Sequence, residues 1–312
     1  MESQAVSAQI IAAAPPAWRR LATPFDRRVA LLLLVLIPTD ILLARRVQLT
    51  GLSQYTDLWP SLLMLLACLG YCCWRPLPRL IDTCKLAIWA ILLVDALALL
   101  IQIAGRSPYP LADRQLNAVD TRLHFHTATI VHAFARFPLA GAILAHAYDL
   151  TSLFILAAIL LPPICGRPLL TRRYITGVVL AAIVTAILFA FVPAAGPWVT
   201  QPLQPTARQA EITAYLARLK SPGPVQLESD HAGIVSFPSF HTVLAVLSAA
   251  ALASLRWLRI PAWTLAALIC IATITTGWHY LIDVLAGLVL SAAALWLAAR
   301  LEPDRPPAHA TP

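Results

Sequence analysis

Long apolar stretches alternate along this chain with short polar breaks that carry arginine. A helix needs about 20 mostly apolar residues to cross a bilayer. Eight stretches approach that length: 29–44, 58–74, 86–104, 139–163, 174–193, 241–257, 262–278 and 281–299. The pattern predicts an all-α, polytopic membrane bundle of about eight transmembrane helices. Two longer intervals interrupt it, at about 105–138 and 194–240. Within the second, Ile212, Tyr215, Leu216 and Leu219 recur at helical spacing between polar residues, which predicts a short helix over 206–219 lying at the interface. The first offers a similar face through Leu116, Val119, Leu123, Ile130 and Phe134. No internal repeat or low-complexity linker is evident. The chain divides into a cytoplasmic segment 1–28, N-terminal helices and an outer loop over 29–138, a membrane domain over 139–300 that would hold the chemistry, and a tail 301–312.

Composition sharpens this picture. Hydrophobic residues make up 59% and charged residues 12%, with a mean hydropathy of +0.74. Soluble domains carry about 45–50% apolar and about 25% charged residues, so a soluble enzyme, a disordered tail protein and a DNA-binding domain are excluded. The six cysteines lie in or beside apolar runs without paired CxxC spacing, as expected of small buried hydrophobes. The first 28 residues are polar and Arg-rich, and the apolar run behind them is too long for a signal-peptide core.

The net charge of +8 is mostly a matter of topology. With the N-terminus in the cytoplasm, 14 of the 23 basic residues fall in short cytoplasmic segments, and seven of the other nine lie in the two long loops. No basic stripe interleaved with stacking aromatics is present, so no nucleic-acid partner is expected. Membrane lipids are the expected partners, and the oligomeric state is open.

Ionisable residues inside apolar spans are functional hypotheses, because each is costly in lipid. Asp40, Asp95 and Asp149 qualify; hydrogen bonding between helices is the favoured reading for all three. A sharper signal lies in Ser236-Phe237-Pro238-Ser239-Phe240-His241-Thr242 and in Trp278-His279-Tyr280-Leu281-Ile282-Asp283. His241 opens one predicted span and His279 closes the next, with the Arg256–Arg259 turn between them, so two antiparallel helices bring both imidazoles to the same outer face. If the backbone is helical there, His279 and Asp283 project from one side of the helix. The carboxylate can then fix the imidazole tautomer and leave the other nitrogen free to attack. Pro238, Ser239 and Phe240 mark a helix start suited to an anion, with His241 beside it to protonate a leaving oxygen. A single interfacial histidine is more often merely solvated; two on one face, one with an i+4 aspartate, are harder to place by chance.

These segments resemble the second and third motifs of the type 2 phosphatidic acid phosphatase superfamily, most closely its inositol phosphorylceramide synthase-like branch. Ala272-Thr273 and Pro193-Ala194-Ala195-Gly196-Pro197-Trp198 fit that branch as well. The resemblance implies that His279 forms a phosphohistidine, that Asp283 orients it, that His241 protonates the leaving group, and that Ser239 with nearby amides holds the phosphate. It implies no metal and no cofactor. Gly196, Pro197, Trp198, Trp278 and Tyr280 would line the donor or acceptor pocket.

The chain also departs from the phosphatases. Their Lys-x6-Arg-Pro motif is missing, since Arg167-Pro168 is preceded by Leu160 and lies on the cytoplasmic side, and Ala272-Thr273 stands where they carry Ser-Arg. A phosphodiester carries one negative charge and needs fewer cations than a monoester dianion. The expected activity is therefore transfer of a phosphorylated headgroup from a phospholipid to a lipid hydroxyl, such as ceramide or diacylglycerol. Hydrolysis of phosphatidate or a polyprenyl pyrophosphate is the alternative, and a lipid transporter or scaffold with vestigial motifs a more distant one. Arg122, Arg136, Arg208, Arg218 or Lys220 could supply a missing charge. His124, His126 and His132 form a weaker, zinc-type constellation, and His231 could reach the site through its loop. A compact chain of this kind is expected in a bacterial inner membrane, its site facing the periplasm.

Overall fold

The computed structural model describes residues 21–52, 59–227 and 233–304. Among them are twelve α-helices: α1 Pro24–Arg46, α2 Trp59–Trp74, α3 Pro78–Gly105, α4 Asp113–Arg122, α5 Thr127–Ala135, α6 Pro138–Asp149, α7 Thr151–Ile164, α8 Pro168–Phe191, α9 Ala207–Lys220, α10 Phe240–Ala253, α11 Arg259–Thr275 and α12 Leu281–Leu301. Two two-residue strands, β1 (Leu49–Thr50) and β2 (Val225–Gln226), pair in parallel and tie the end of α1 to the loop after α9.

The stretches Pro78–Gly105, Pro168–Phe191, Arg256–Thr275 and Leu281–Leu301 are long and apolar enough to cross a membrane. A fifth span is reached by length if α5 and α6, with a 119° bend between them, count as one. Helices α2, α7 and α10 are apolar but shorter, so length and composition alone support fewer spans than the eight expected. The continuous span anticipated over 139–163 is two helices. It breaks at Leu150, whose backbone stays near helical values, and Thr151 Oγ1 donates to the Tyr148 carbonyl across the break.

Helix α8 lies at the centre, against α3, α7, α10 and α12. Small residues allow this closeness: Gly177 faces Leu247 and the Ala294 carbonyl, and Gly287 faces the start of α10. One core joins Leu93 and Leu97 of α3, Ala181 of α8, Leu247 of α10 and Ile269 of α11. The outer faces stay apolar, with Leu34 72%, Val289 72% and Trp74 74% exposed, a surface that suits lipid rather than water. At the end holding the N-terminus of α1, Arg75 lies over Trp74 and Arg300 over Trp296, the pairing of aromatic and basic side chains found where a bilayer meets water. A buried ion pair, Lys85 Nζ to Asp26 Oδ2 at 2.9 Å, fastens α3 to α1 at that end.

The opposite end carries the loops. Helix α9 forms where expected, opened by Thr206, whose hydroxyl accepts from Gln209 N while Gln209 Oε1 accepts from Thr206 N. Its predicted apolar face is buried, but in protein: Ile212, Tyr215, Leu216 and Leu219 pack with Leu99, Phe189 and Trp198. Arg106 secures this layer by donating to the carbonyls of Val47, Leu219, Ser221 and Gly223. The 111–137 interval folds as α4 and α5. Leu116 is buried in it, whereas Leu123 is 50% exposed.

Candidate active site

Two features of local sequence start α10 where it does. Pro238 cannot donate to a preceding turn, and Ser239 is the N-cap, its Oγ accepting from Thr242 N at 3.4 Å and Thr242 Oγ1 at 3.1 Å. The first amides of a helix lack partners within it. Those of Phe240 and His241 therefore open the helix with donors suited to an anion. Phe240 itself packs against the main core.

Helix α11 ends at Thr275, and the chain turns through Gly277 at φ 76°, where the absence of a Cβ relieves the left-handed backbone. The Thr273 carbonyl accepts from the amides of both Trp278 and His279. His279 thus sits in the turn before α12, off the helix on which the i+4 argument placed it. The pairing with Asp283 survives because Asp283 folds back over the helix start. Its Oδ2 accepts from Tyr280 N at 2.9 Å and Ser236 Oγ at 2.8 Å, and stands 3.4 Å from His279 Nδ1. Ser239 N donates to the Asp283 carbonyl at 3.0 Å. The two motifs are therefore stitched to each other through one aspartate.

The ring centres of His241 and His279 are 6.0 Å apart. With Nδ1 of His279 facing Asp283, its Nε2 is the nitrogen left for chemistry. His279 is 2% exposed, and burial pushes its imidazole down to about 4, with the Ser236 carbonyl acting the other way. The ring is therefore neutral at physiological pH, the state a nitrogen nucleophile requires. His241 stacks on Tyr148 at 4.7 Å, and Tyr148 lies parallel to Trp278 at 6.3 Å. Trp198 meets Trp278 edge-on at 5.5 Å. Trp198 and Trp278, two of the residues expected to line a donor or acceptor pocket, therefore touch each other beside the histidines and form an aromatic wall together with Tyr148.

Gly196, Pro197 and Tyr280 are buried behind this wall. Gly196 has φ 149°, and a Cβ there would meet the Trp198 ring at 2.3 Å. The Tyr280 hydroxyl lies within hydrogen-bond distance of the Gly196 carbonyl, Thr200 Oγ1 and Asp113 Oδ1.

Two buried carboxylates that sequence reasoning passed over brace the site. Asp113 Oδ1 accepts from Gly196 N at 2.8 Å, and its carboxylate also takes Ala195 N. Asp120 accepts from Leu281 N at 2.7 Å and Ile282 N at 2.9 Å, capping α12 from outside. Burial raises both carboxyls, and the backbone amides offset only part of that rise. Their spacing of seven was the available signal, since i and i+7 share a helix face.

The cationic candidates are either exposed or engaged with other partners. Arg167 donates to the Ser254 carbonyl at the far end of α10. Arg122 and Arg136 are exposed, Arg208 pairs with Glu211, Arg218 lies over Tyr215, and Lys220 donates to Ser107. Among the described residues, neither Asp283 nor His279 has a Lys or Arg as a hydrogen-bond or ion-pair partner. Nor do any three His, Cys, Asp or Glu side chains, including His124, His126 and His132, form a group able to hold a metal. His231 lies outside the described residues.

The model of the PAP2 superfamily matches residues 114–297, more than half the chain. The protein belongs to the PAP2 superfamily. Membership suggests a membrane phosphatase or phosphotransferase. Neither a curated protein nor a solved structure matches the chain.

Proposed function

We propose that this PAP2 superfamily member is a lipid phosphotransferase of the inositol phosphorylceramide synthase-like kind, working through a phosphohistidine on His279. The observation that carries the reading is the pair of imidazoles with ring centres 6.0 Å apart, one of them held through Nδ1 by a buried aspartate. Nε2 of His279 attacks the phosphorus of a phospholipid headgroup. A P–N bond forms, the P–O bond to the diacylglycerol breaks, and His241 gives its proton to the departing oxygen. The hydroxyl of an acceptor lipid then attacks the same phosphorus, His241 takes that proton, and the P–N bond breaks to restore His279. The first-turn amides of α10 and Ser239 hold the phosphate oxygens. The missing Lys-x6-Arg-Pro motif, and Ala272-Thr273 where the phosphatases carry Ser-Arg, favour a singly charged phosphodiester over a dianionic monoester.

We also assign the histidine pair to the extracytoplasmic side of a bacterial inner membrane, in an eight-span bundle to which α1, α2, α10 and the α6–α7 pair contribute the other four spans. This rests on the excess of arginine at the opposite end.

The test uses wild type and His279→Ala in lipid nanodiscs. Phosphatidylinositol or phosphatidylglycerol labelled at phosphorus is supplied with ceramide or diacylglycerol, and labelled phosphatidate is run in parallel. Label moving into a new lipid with wild type alone is the expected result. Release of inorganic phosphate from phosphatidate would instead make the protein a phosphatase, and the argument from the missing cations would fail.

A further inference from the structure

Far from the histidines in sequence, the helices α1, α2 and α3 line a half-open cavity of about 460 Å³, within the size range of pockets that take small organic ligands. Its walls are apolar, formed by residues such as Ile41, Leu62 and Leu99, with Trp59 at one side. Two carboxylates, Asp40 of α1 and Asp95 of α3, line the same space. Asp40 is 0% exposed, and neither of its oxygens has a hydrogen-bond partner. The hydrogen bonding between helices anticipated for this residue is thus not made among the described residues. By helix rise, Asp40 lies roughly 9 Å, and Asp95 roughly 15 Å, below the ends of their helices on the loop side, inside the apolar zone.

An unpartnered carboxylate in an apolar chamber is costly, and buried polar groups normally find a partner. A partner that completes Asp40 as a carboxylate supplies hydrogen-bond donors and a positive charge while placing apolar surface against Ile41, Leu62 and Leu99. A metal ion fits poorly, because hard cations ask for six or more oxygens and the other lining residues are apolar. An alcohol offers one O–H, whereas an ammonium group offers three N–H donors and the charge, and the face of Trp59 attracts cations as well. We infer that the α1–α2–α3 cavity is a binding site for an amphipathic amine, a single-chain lipid whose ammonium head sits between Asp40 and Asp95. The site is separate from the histidine pair and does not depend on the reaction assigned there.

Photo-crosslinking of the full chain in nanodiscs tests this. Three diazirine-bearing probes of equal chain length are compared: a primary amine, an alcohol and an alkyl phosphate. The amine is expected to label peptides containing Ile37–Ile41 and Leu92–Leu99 in wild type. That labelling should fall at least tenfold in Asp40→Asn and in Asp95→Asn, and the alcohol and phosphate should label these peptides weakly. Labelling unchanged by Asp40→Asn, equal labelling by the alcohol, or no labelling of these helices would each overturn the inference. If Asp40→Asn fails to fold, competition in wild type decides: excess unlabelled dodecylamine must suppress the signal and dodecanol must not.

Discussion

A neutral histidine held in a buried turn ties the chemistry of this site to pH. His279 is driven to about 4 from an ordinary value of 6.5, so between those values the unfolded chain binds a proton that the folded chain refuses. Stability is therefore expected to fall as pH drops from about 6.5 to 4, with no further loss from this residue below that. Thermal unfolding in nanodiscs across this range should show a steeper decline for wild type than for His279→Gln, which lacks the group. Parallel declines would mean that His279 does not titrate in this way. For activity, His279→Ala is expected to lower turnover by roughly 10³-fold or more while leaving the melting midpoint near that of wild type at pH 7.5. His241 and His279 were legible in sequence because Pro238-Ser239 and the i+4 aspartate are local patterns. Tyr148, stacked on His241, was not: nothing near it announces a partner more than ninety residues away.

The helix starts carry the next set of expectations. Asp120 holds two amides at the head of α12, and leaving both without an acceptor in a buried site costs about 2 kcal/mol. Asp120→Ala should lower stability by about that amount, whereas Asp120→Asn keeps one acceptor oxygen and should lose less; equal losses would show that the amides find water instead. Gly287 is a sharper probe. A Cβ there would stand 2.7 Å from the Ser239 carbonyl and 3.0 Å from Thr242 Cβ. Both are parts of the α10 start, so the strain cannot be relieved by a flexible side chain. Gly287→Ala should cost about 1–3 kcal/mol and, by shifting Ser239 and His241, lower turnover roughly 10-fold or more. Retained turnover would mean that the α10 start tolerates displacement. The apolar pattern located α3, α8, α11 and α12 well, because long spans write their length into sequence. It ran α6 and α7 together, since a break at Leu150 that keeps near-helical backbone leaves no glycine or proline to mark it. It also assigned α9 to the membrane surface, because an apolar face reads the same whether lipid or protein covers it.

At the scale of the whole molecule, the side on which the loops lie decides which lipids reach the histidines. The chain has two lysines, and they lie at opposite ends. Lys85 is buried in its ion pair with Asp26, whereas Lys220 closes α9 on the loop end, half-buried, with Nζ donating to Ser107. Burial brings the Lys220 amine down to about 8, so near pH 8 a large fraction is unprotonated and reactive, unlike an ordinary lysine. A membrane-impermeant amine reagent applied at pH 8 should therefore modify Lys220 in right-side-out vesicles and spare it in inside-out ones. Lys220→Arg provides the control, because Arg keeps the charge and removes the nucleophile. Modification confined to inside-out vesicles would place the histidine pair in the cytoplasm. The arginine excess would then be a poor guide to this chain, and the donor and acceptor lipids would have to be sought in the other leaflet.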